Sequence, residues 1–170
     1  MRLALLLLSL CCLSFSSLSA QKGMNNKKMG KILEENASAI EGEAGAWQVF
    51  IHNHVLIVVT DEPNNRMRIF TPIMEESELE KKQLRNMLIA NFHTALDAKY
   101  SIYEGFVIST FTHPLKELTE WQLVDALSQV AKLAENFGTT YSSTDLIFGG
   151  NQDKIEQKRL NQSPSKGKRS

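Results

Sequence analysis

Cysteine is nearly absent from this 170-residue chain. Its only two cysteines, Cys11 and Cys12, both lie within the first twenty residues. If those residues are removed, the remaining protein contains no thiol, so disulfide bonds and thiol catalysis are excluded there. Stability must then come from a hydrophobic core, and about 150 residues are enough to form one such core.

Short motifs that accompany common enzyme chemistries are also lacking. The sequence contains no G-x-S-x-G nucleophile elbow, no phosphate-binding loop and no dinucleotide-binding fingerprint. We therefore predict no catalytic residue and no cofactor. His52 and His54, with His93 and His113 as distant helpers, are metal ligands only as an alternative, because zinc ligands usually show closer spacing. We predict no metal site.

The chain has only one long hydrophobic run, and this run lies near its first residue. Arg2 is followed by apolar residues 3–13 and then by a serine-rich stretch that ends at Ala20. This order is typical of a secretory signal peptide, and the run is shorter than the ~20 residues that span a bilayer. We predict that residues 1–20 are a signal peptide, cleaved near Ala20, and that the protein is periplasmic or secreted.

The net charge is zero, but the charges are unevenly distributed. Residues 21–150 carry 12 basic and 17 acidic side chains, whereas residues 151–170 carry 6 basic and 2 acidic side chains. We predict one domain over residues 21–150 and a disordered basic tail over residues 151–170. A solubilising tail is favoured over one that touches an anionic membrane surface, and no nucleic-acid partner is predicted.

Hydrophobic periodicity and turn residues predict three helices and five strands. Two capping boxes, which begin at Ser77 and Thr119, predict the starts of the second and third helices. The predicted elements are helix 26–41, strands 46–52, 54–60 and 66–72, helix 77–96, strands 99–103 and 106–112, and helix 119–138. This α-β-β-β-α-β-β-α order predicts an α+β fold, with an antiparallel sheet and flanking helices.

The second predicted strand, Val55–Val59, is apolar on both faces, so both of its faces should be covered. Helices of the same chain could cover both faces. Alternatively, the second face could meet another subunit or a partner protein. The second helix is predicted to bury one apolar face, which consists of Leu84, Met87, Leu88, Phe92 and Leu96.

Two arginines alternate with apolar residues in the third predicted strand. Arg66 and Arg68 therefore share one face of the sheet, near Asp61 across a turn. Guanidinium groups bind carboxylates or phosphates in bidentate fashion, which makes both arginines anion-contact candidates. The favoured interpretation is a tight turn with weak cross-strand pairs.

Several residues carry a resemblance to a known family across about residues 27–142. They are Trp47, Asp61, Arg66-Met67-Arg68-Ile69, Pro72-Ile73, Leu88, Asn91-Phe92, Asp97-Ala98 and Phe137-Gly138. The chain resembles the type III secretion chaperone-like fold, especially its bacterial branch of sensory transduction regulators. The resemblance implies a small α+β protein that is not an enzyme. It also implies a homodimer that holds an extended segment of a protein partner.

Carried onto this chain, the resemblance implies two sets of site residues. The implied peptide-binding residues are Met29, Ile32, Leu33, Val49 and Ile51, although for each of them a place in the core is the stronger single prediction. The implied dimer contacts are Leu84, Leu88 and Phe92.

Secretion chaperones are cytoplasmic, whereas this chain begins with a predicted export signal. We therefore predict a non-enzymatic protein- or peptide-binding protein, chaperone-like or regulatory, of the bacterial cell envelope. The alternative is an envelope enzyme that depends on a metal or small molecule and uses His52, His54, Arg66 and Arg68.

Overall fold

The computed structural model describes residues 23–146, so the predicted signal peptide and the predicted basic tail lie outside the described residues. The described strands are β1 (Ala39–Glu43), β2 (Ala46–Ile51), β3 (His54–Asp61), β4 (Arg66–Glu75), β5 (Lys99–Tyr103) and β6 (Phe106–His113). The described helices are α1 (Asn26–Asn36), α2 (Lys81–His93) and α3 (Glu120–Glu135), and a short 3-10 helix (Glu76–Glu78) precedes α2.

The six strands form one antiparallel sheet in the order β1-β2-β3-β4-β6-β5. Residues with positive φ occur at the hairpin turns, including Asn53 (φ 64°), Asn65 (φ 54°) and Gly105 (φ 80°). Asparagine and glycine adopt this conformation at low cost, which is why the sequence could predict these corners. The predicted α+β class is confirmed.

Helices α1 and α3 cover one side of the sheet, which we call the inner face. Alternate residues of the strands point toward these helices, as the two-residue period of a strand requires. The buried inner-face residues include Trp47, Val49, Ile51, Leu56, Val58, Met67, Ile69, Val107 and Phe111. Helix α3 contributes Leu123, Leu127 and Val130 to the same core. The resulting core lies between one side of the sheet and two helices.

Hydrogen bonds from polar side chains connect α3 to β5 and to the segment that leads into it. Gln129 is only 1% exposed, and its Oε1 accepts hydrogen bonds from the backbone N–H groups of Asp97 (3.0 Å) and Ala98 (3.2 Å). The Tyr100 hydroxyl donates to the Leu133 carbonyl oxygen over 2.8 Å. These bonds satisfy polar groups that packing has removed from water, and they fix β5 relative to α3.

The first helix and the strand that follows it differ from the prediction. Helix α1 begins after its N-cap Asn25, whose side chain accepts from the Lys28 N–H, and it ends at Asn36 instead of residue 41. Residues Ala39–Glu43 form β1, an edge strand that pairs with β2. The helical prediction was wrong here because the apolar spacing of Ile40 fits a helix, whereas pairing with β2 depends on residues distant in sequence.

The predicted start of the second helix was wrong, and its predicted buried face was correct at Met87 but wrong at Leu84, Leu88 and Phe92. The capping box is formed by Glu80 and Gln83 instead of Ser77 and Glu80, so α2 begins at Lys81. The helix buries Met87 and Ala90, whereas three predicted core residues, Leu84, Leu88 and Phe92, are exposed. Helix α2 lies beside β5 at the sheet edge, where it needs only a narrow buried side.

The third helix agrees more closely with the prediction. Thr119 and Gln122 form the predicted capping box at the start of α3. The helix ends at Glu135, and Gly138 follows with φ 78°. Between residues 23 and 146, we find no helix whose length and apolar character would allow it to cross a membrane.

Candidate functional site

The five residues implied as a peptide-binding surface lie in the hydrophobic core. Met29, Leu33 and Val49 are fully buried, and Ile32 and Ile51 are 3% and 8% exposed. A peptide could reach these side chains only if α1 separated from the sheet. The structure therefore gives them the core position that was already the stronger single prediction for each, and their role in peptide binding stays a prediction.

The side of the sheet opposite α1 and α3, which we call the outer face, is rich in apolar residues. Strand β3 directs Val55, Ile57 and Val59 to this side, and Val55 is 49% exposed. The neighbouring Phe50 of β2 is 39% exposed. In the described part of the chain, α1 and α3 pack on the inner face and α2 packs beside β5. These three helices therefore do not cover the outer side of β3, although its apolar sequence predicts that both sides are covered.

Aromatic residues extend the outer face toward β5. The rings of Phe70 and Tyr103 meet edge to face, with their centroids 5.9 Å apart. Tyr103 and Phe106 are 47% and 43% exposed. Edge-to-face pairs of this kind hold aromatic side chains in fixed orientations, so this part of the outer face is ordered and accessible.

The two predicted anion-contact residues, Arg66 and Arg68, are exposed on the outer face. Arg66 donates from Nη1 to the Asn65 carbonyl oxygen (2.8 Å), and Arg68 donates from Nε to the Thr112 hydroxyl oxygen (3.2 Å). These bonds orient both guanidinium groups but leave most of their N–H groups available. Their role in anion contact stays a prediction.

Asp61 lies opposite Arg66 in the strand register, but its carboxylate accepts hydrogen bonds from the turn that follows β3. Its oxygens accept hydrogen bonds from the side-chain amide of Asn64 (2.7 Å) and from the Asn64 backbone N–H (3.1 Å). Hydrogen bonds to the charged form hold the pKa of Asp61 below its usual value. This geometry fits the favoured interpretation of the segment as a tight turn.

Acidic residues line the other border of the outer face. Glu41 and Glu43 of β1 lie opposite Gln48 and Ala46 of β2, and therefore point to the same side of the sheet as these residues. A shallow depression of about 130 Å³ occupies this border, lined by Ala39, Glu41, Gln48, Val49, Phe50 and Val55. This feature was not predicted, because residues 39–41 also fit the apolar spacing of a helix. The signal available in the sequence was the alternation of Glu41 and Glu43 with Ile40 and Gly42.

A second uncovered apolar surface runs along α2. Leu84, Leu88 and Phe92, which we call the α2 stripe, are 39%, 64% and 72% exposed. Residues four positions apart lie on one side of a helix, so these three side chains form a continuous row. Their exposure fits any protein contact, and the predicted dimer role stays a prediction.

The residues of the alternative enzyme hypothesis do not converge. His52 and His54 lie at the turn between β2 and β3, whereas Arg66 pairs with Asp61 at the opposite end of β3. At ~3.3 Å per residue, the length of β3 separates the two groups by roughly 23 Å. Within residues 23–146, no three His, Cys, Asp or Glu side chains are placed to hold a metal ion together.

No protein-family model matches this sequence, and no curated protein matches it. A chain from the structure of the HopA1–SchA chaperone–effector complex is 12% identical, with a TM-score of 0.46 over 64% of this chain and 95% of its own length. A chain from the complex of the Yersinia pestis type III secretion chaperone SycH with a stable YscM2 fragment is 16% identical, with a TM-score of 0.47 over 64% and 98%.

A chain from the structure of the ExsC–ExsE complex is 13% identical, with a TM-score of 0.49 over 66% of this chain and 92% of its own length. Identities of 12–16% and TM-scores below 0.5 transfer no partner or activity to this chain. The relationship to sensory transduction regulators stays a prediction.

Proposed function

We propose that this chain is a non-enzymatic protein-binding protein with a chaperone-like or regulatory role. The observation that carries this proposal is that residues 23–146 form a small domain with a complete core and still expose two apolar surfaces, the outer face and the α2 stripe. Large contiguous apolar patches are uncommon on monomeric soluble proteins and usually mark interaction sites.

The proposed location is the bacterial cell envelope, either in a periplasm or outside the cell. Support comes from the amino-terminal sequence, in which Arg2, an apolar run and a serine-rich stretch precede Ala20. We expect the purified native protein to begin near residue 21, as measured by intact-mass spectrometry. A native protein that retains Met1 would contradict the proposed export.

We assign the α2 stripe to the partner protein. Helix α2 carries Lys81, Lys82 and Arg85 but no acidic residue, and the carboxylate of its N-cap Glu80 already accepts from the Gln83 N–H, so the helix presents mainly cations beside the stripe. A partner segment with apolar side chains and carboxylates would complement both the stripe and its charges. This assignment differs from the predicted dimer role, which remains the competing hypothesis for the same residues.

The test removes apolar area from the stripe without touching the core. Leu88→Ala and Phe92→Ala would be combined in the full chain, and both proteins used as baits in an envelope extract of the source organism. We expect the wild-type bait to recover one or a few proteins in stoichiometric amount, and the double variant to recover less than about a tenth as much.

Trp121→Ala provides the matched control, because Trp121 is the other strongly exposed aromatic residue on a helix, at 74%. This variant should recover the same proteins as the wild type. Equal recovery by the stripe variant and the wild type would contradict the assignment of the α2 stripe. A bait that recovers no protein would contradict the proposed function itself.

A further inference from the structure

The charges on the outer face are separated into two columns. One column, Glu41 and Glu43, lies on β1, and the other, Arg66 and Arg68, lies on β4. Between them, β2 and β3 present the most apolar part of this face, with Phe50, Val55, Ile57 and Val59. The face thus has an acidic border, an apolar centre and a border with two arginines, where Asp61 lies opposite Arg66.

The two columns cannot neutralise each other within one molecule. Strands β1 and β4 are three strand spacings apart in the sheet, which corresponds to roughly 14 Å. Direct ion pairs require a nitrogen–oxygen distance of about 4 Å or less. The arginine hydrogen bonds instead go to Asn65 and Thr112. Among residues 23–146 no ion pair neutralises either column, so these charges can be met by another molecule that covers the apolar centre.

The strand register places one member of each column, Glu43 and Arg68, in the same row, whereas Glu41 is level with Phe70. Glu43 pairs with Ala46, Ala46 with Val59, and Val59 with Arg68, so these residues form one row across four strands. A twofold axis parallel to the strands, above the line between β2 and β3, would place β1 of one copy over β4 of the other. The same rotation places β2 over β3. The rotation does not change the position of a residue along the strand direction. Glu43 therefore faces Arg68 of the second copy, and Phe50 faces Val55.

We infer that the outer face binds a second copy of this chain, with its two sheets packed face to face and Glu43 paired with Arg68 on both sides of the twofold axis. A twofold interface requires a patch that complements itself, and this face supplies opposite charges at equal distances from an apolar centre. Aligned sheets pack about 10 Å apart at roughly 30°, and glutamate and arginine side chains together can bridge that gap.

The size of the patch sets the expected strength of this dimer. Four strands at ~4.8 Å spacing and three rows of outward residues give a footprint of roughly 350 Å² on each copy. Stable complexes bury ~800 Å² on each partner. We therefore expect an association that depends on protein concentration and weakens as salt screens the charge pairs.

The test is a charge-reversal cycle in the protein as purified from its native location, with the dimer dissociation constant measured by analytical ultracentrifugation. Arg68→Glu and Glu43→Arg should each weaken the wild-type dimer by about tenfold or more, because each places like charges opposite one another. The combined variant restores opposite charges, so its dissociation constant should return to within about threefold of the wild-type value.

Lys132→Glu and Glu135→Arg, two charge reversals on exposed positions of α3, provide the control and should leave the constant within about twofold of wild type. A wild-type protein that stays monomeric at its highest soluble concentration would overturn the inference. Failure of the combined variant to recover association would overturn it as well. A dimer that is lost only in the Leu88→Ala/Phe92→Ala variant would also overturn the inference. A dimer lost only in that variant would also assign the α2 stripe to the dimer and contradict its assignment to a partner protein. The other two outcomes leave the partner-capture test of the α2 stripe unchanged, so the proposed function can fail separately.

Discussion

The two sides of the sheet are built from similar residues but have different surroundings. On β3, Leu56 and Val58 are fully buried beneath α3, while Val55, one residue away, is 49% exposed on the outer face. Helices α1 and α3 both pack on the inner face, and α2 lies beside β5. The apolar sequence of β3 therefore favours burial of both of its faces, but the helices between residues 23 and 146 cover only one of them.

The comparison of the two faces is tested most strongly by truncating neighbouring residues of β3. We expect Leu56→Ala to lower the free energy of unfolding by about 2–5 kcal/mol, because it leaves a cavity in the core. Val55→Ala should change it by less than about 0.5 kcal/mol at concentrations where the protein is monomeric. Urea denaturation measures both values, and similar losses would show that the outer face is covered within one chain.

A second pair of variants compares buried and exposed glutamines. Gln129→Leu should cost about 1–3 kcal/mol, because the backbone N–H groups of Asp97 and Ala98 lose their acceptor inside the protein. Gln48→Leu, on the exposed side of β2, should change the free energy of unfolding by less than about 0.5 kcal/mol. If Gln129→Leu proved neutral, the polar connection between α3 and β5 would contribute nothing to stability.

The smallest expected difference is between the two tyrosines of β5. Tyr100→Phe removes the hydrogen bond to the Leu133 carbonyl oxygen and should cost about 0.5–1.5 kcal/mol at neutral pH. Tyr103→Phe, on the outer face, should have no measurable effect there. Equal losses for the two variants would contradict the different burial of these two side chains.

The pH dependence of stability gives a further measure of Tyr100. Burial raises the pKa of Tyr100 above its ordinary value of 10.0. Above pH 10 the unfolded chain therefore releases this proton before the folded protein does. Stability from Tyr100 is fully present below pH 10 and is lost as the pH rises toward the folded pKa. The alkaline loss of stability should be smaller in Tyr100→Phe, as measured by urea denaturation over pH 9–11.

The parts of the fold that were predicted correctly depend on local signals. Thr119 and Gln122 form the predicted capping box of α3, and residues around Asn65 and Gly105 turn the chain where predicted. These preferences come from hydrogen bonds and backbone conformations within a few residues. The alternation of Arg66 and Arg68 with Met67 likewise placed both arginines on one face, because the period of a strand is fixed.

The errors occurred where distant contacts decide between local alternatives. Residues Ala39–Glu43 pair with β2 to form an edge strand, although Ile40 also fits the spacing of a helix. The apolar row of α2 was predicted to be buried, yet Leu88 and Phe92 are largely exposed because α2 packs beside β5 through Met87 and Ala90. The charge columns of the outer face could not be predicted, since they require the pairing of β1 with β2.

The sequence by itself determined the α+β class, the turns and the two-sided apolar character of β3, because each follows from the chemistry of neighbouring residues. Only the tertiary structure decided which apolar residues became core and which became surface. Met29, Ile32 and Leu33 were enclosed, whereas Leu84, Leu88 and Phe92 remained accessible. The physical reason is that burial depends on which elements meet. Among residues 23–146, two helices meet on the inner face, and none packs on the outer side of β3.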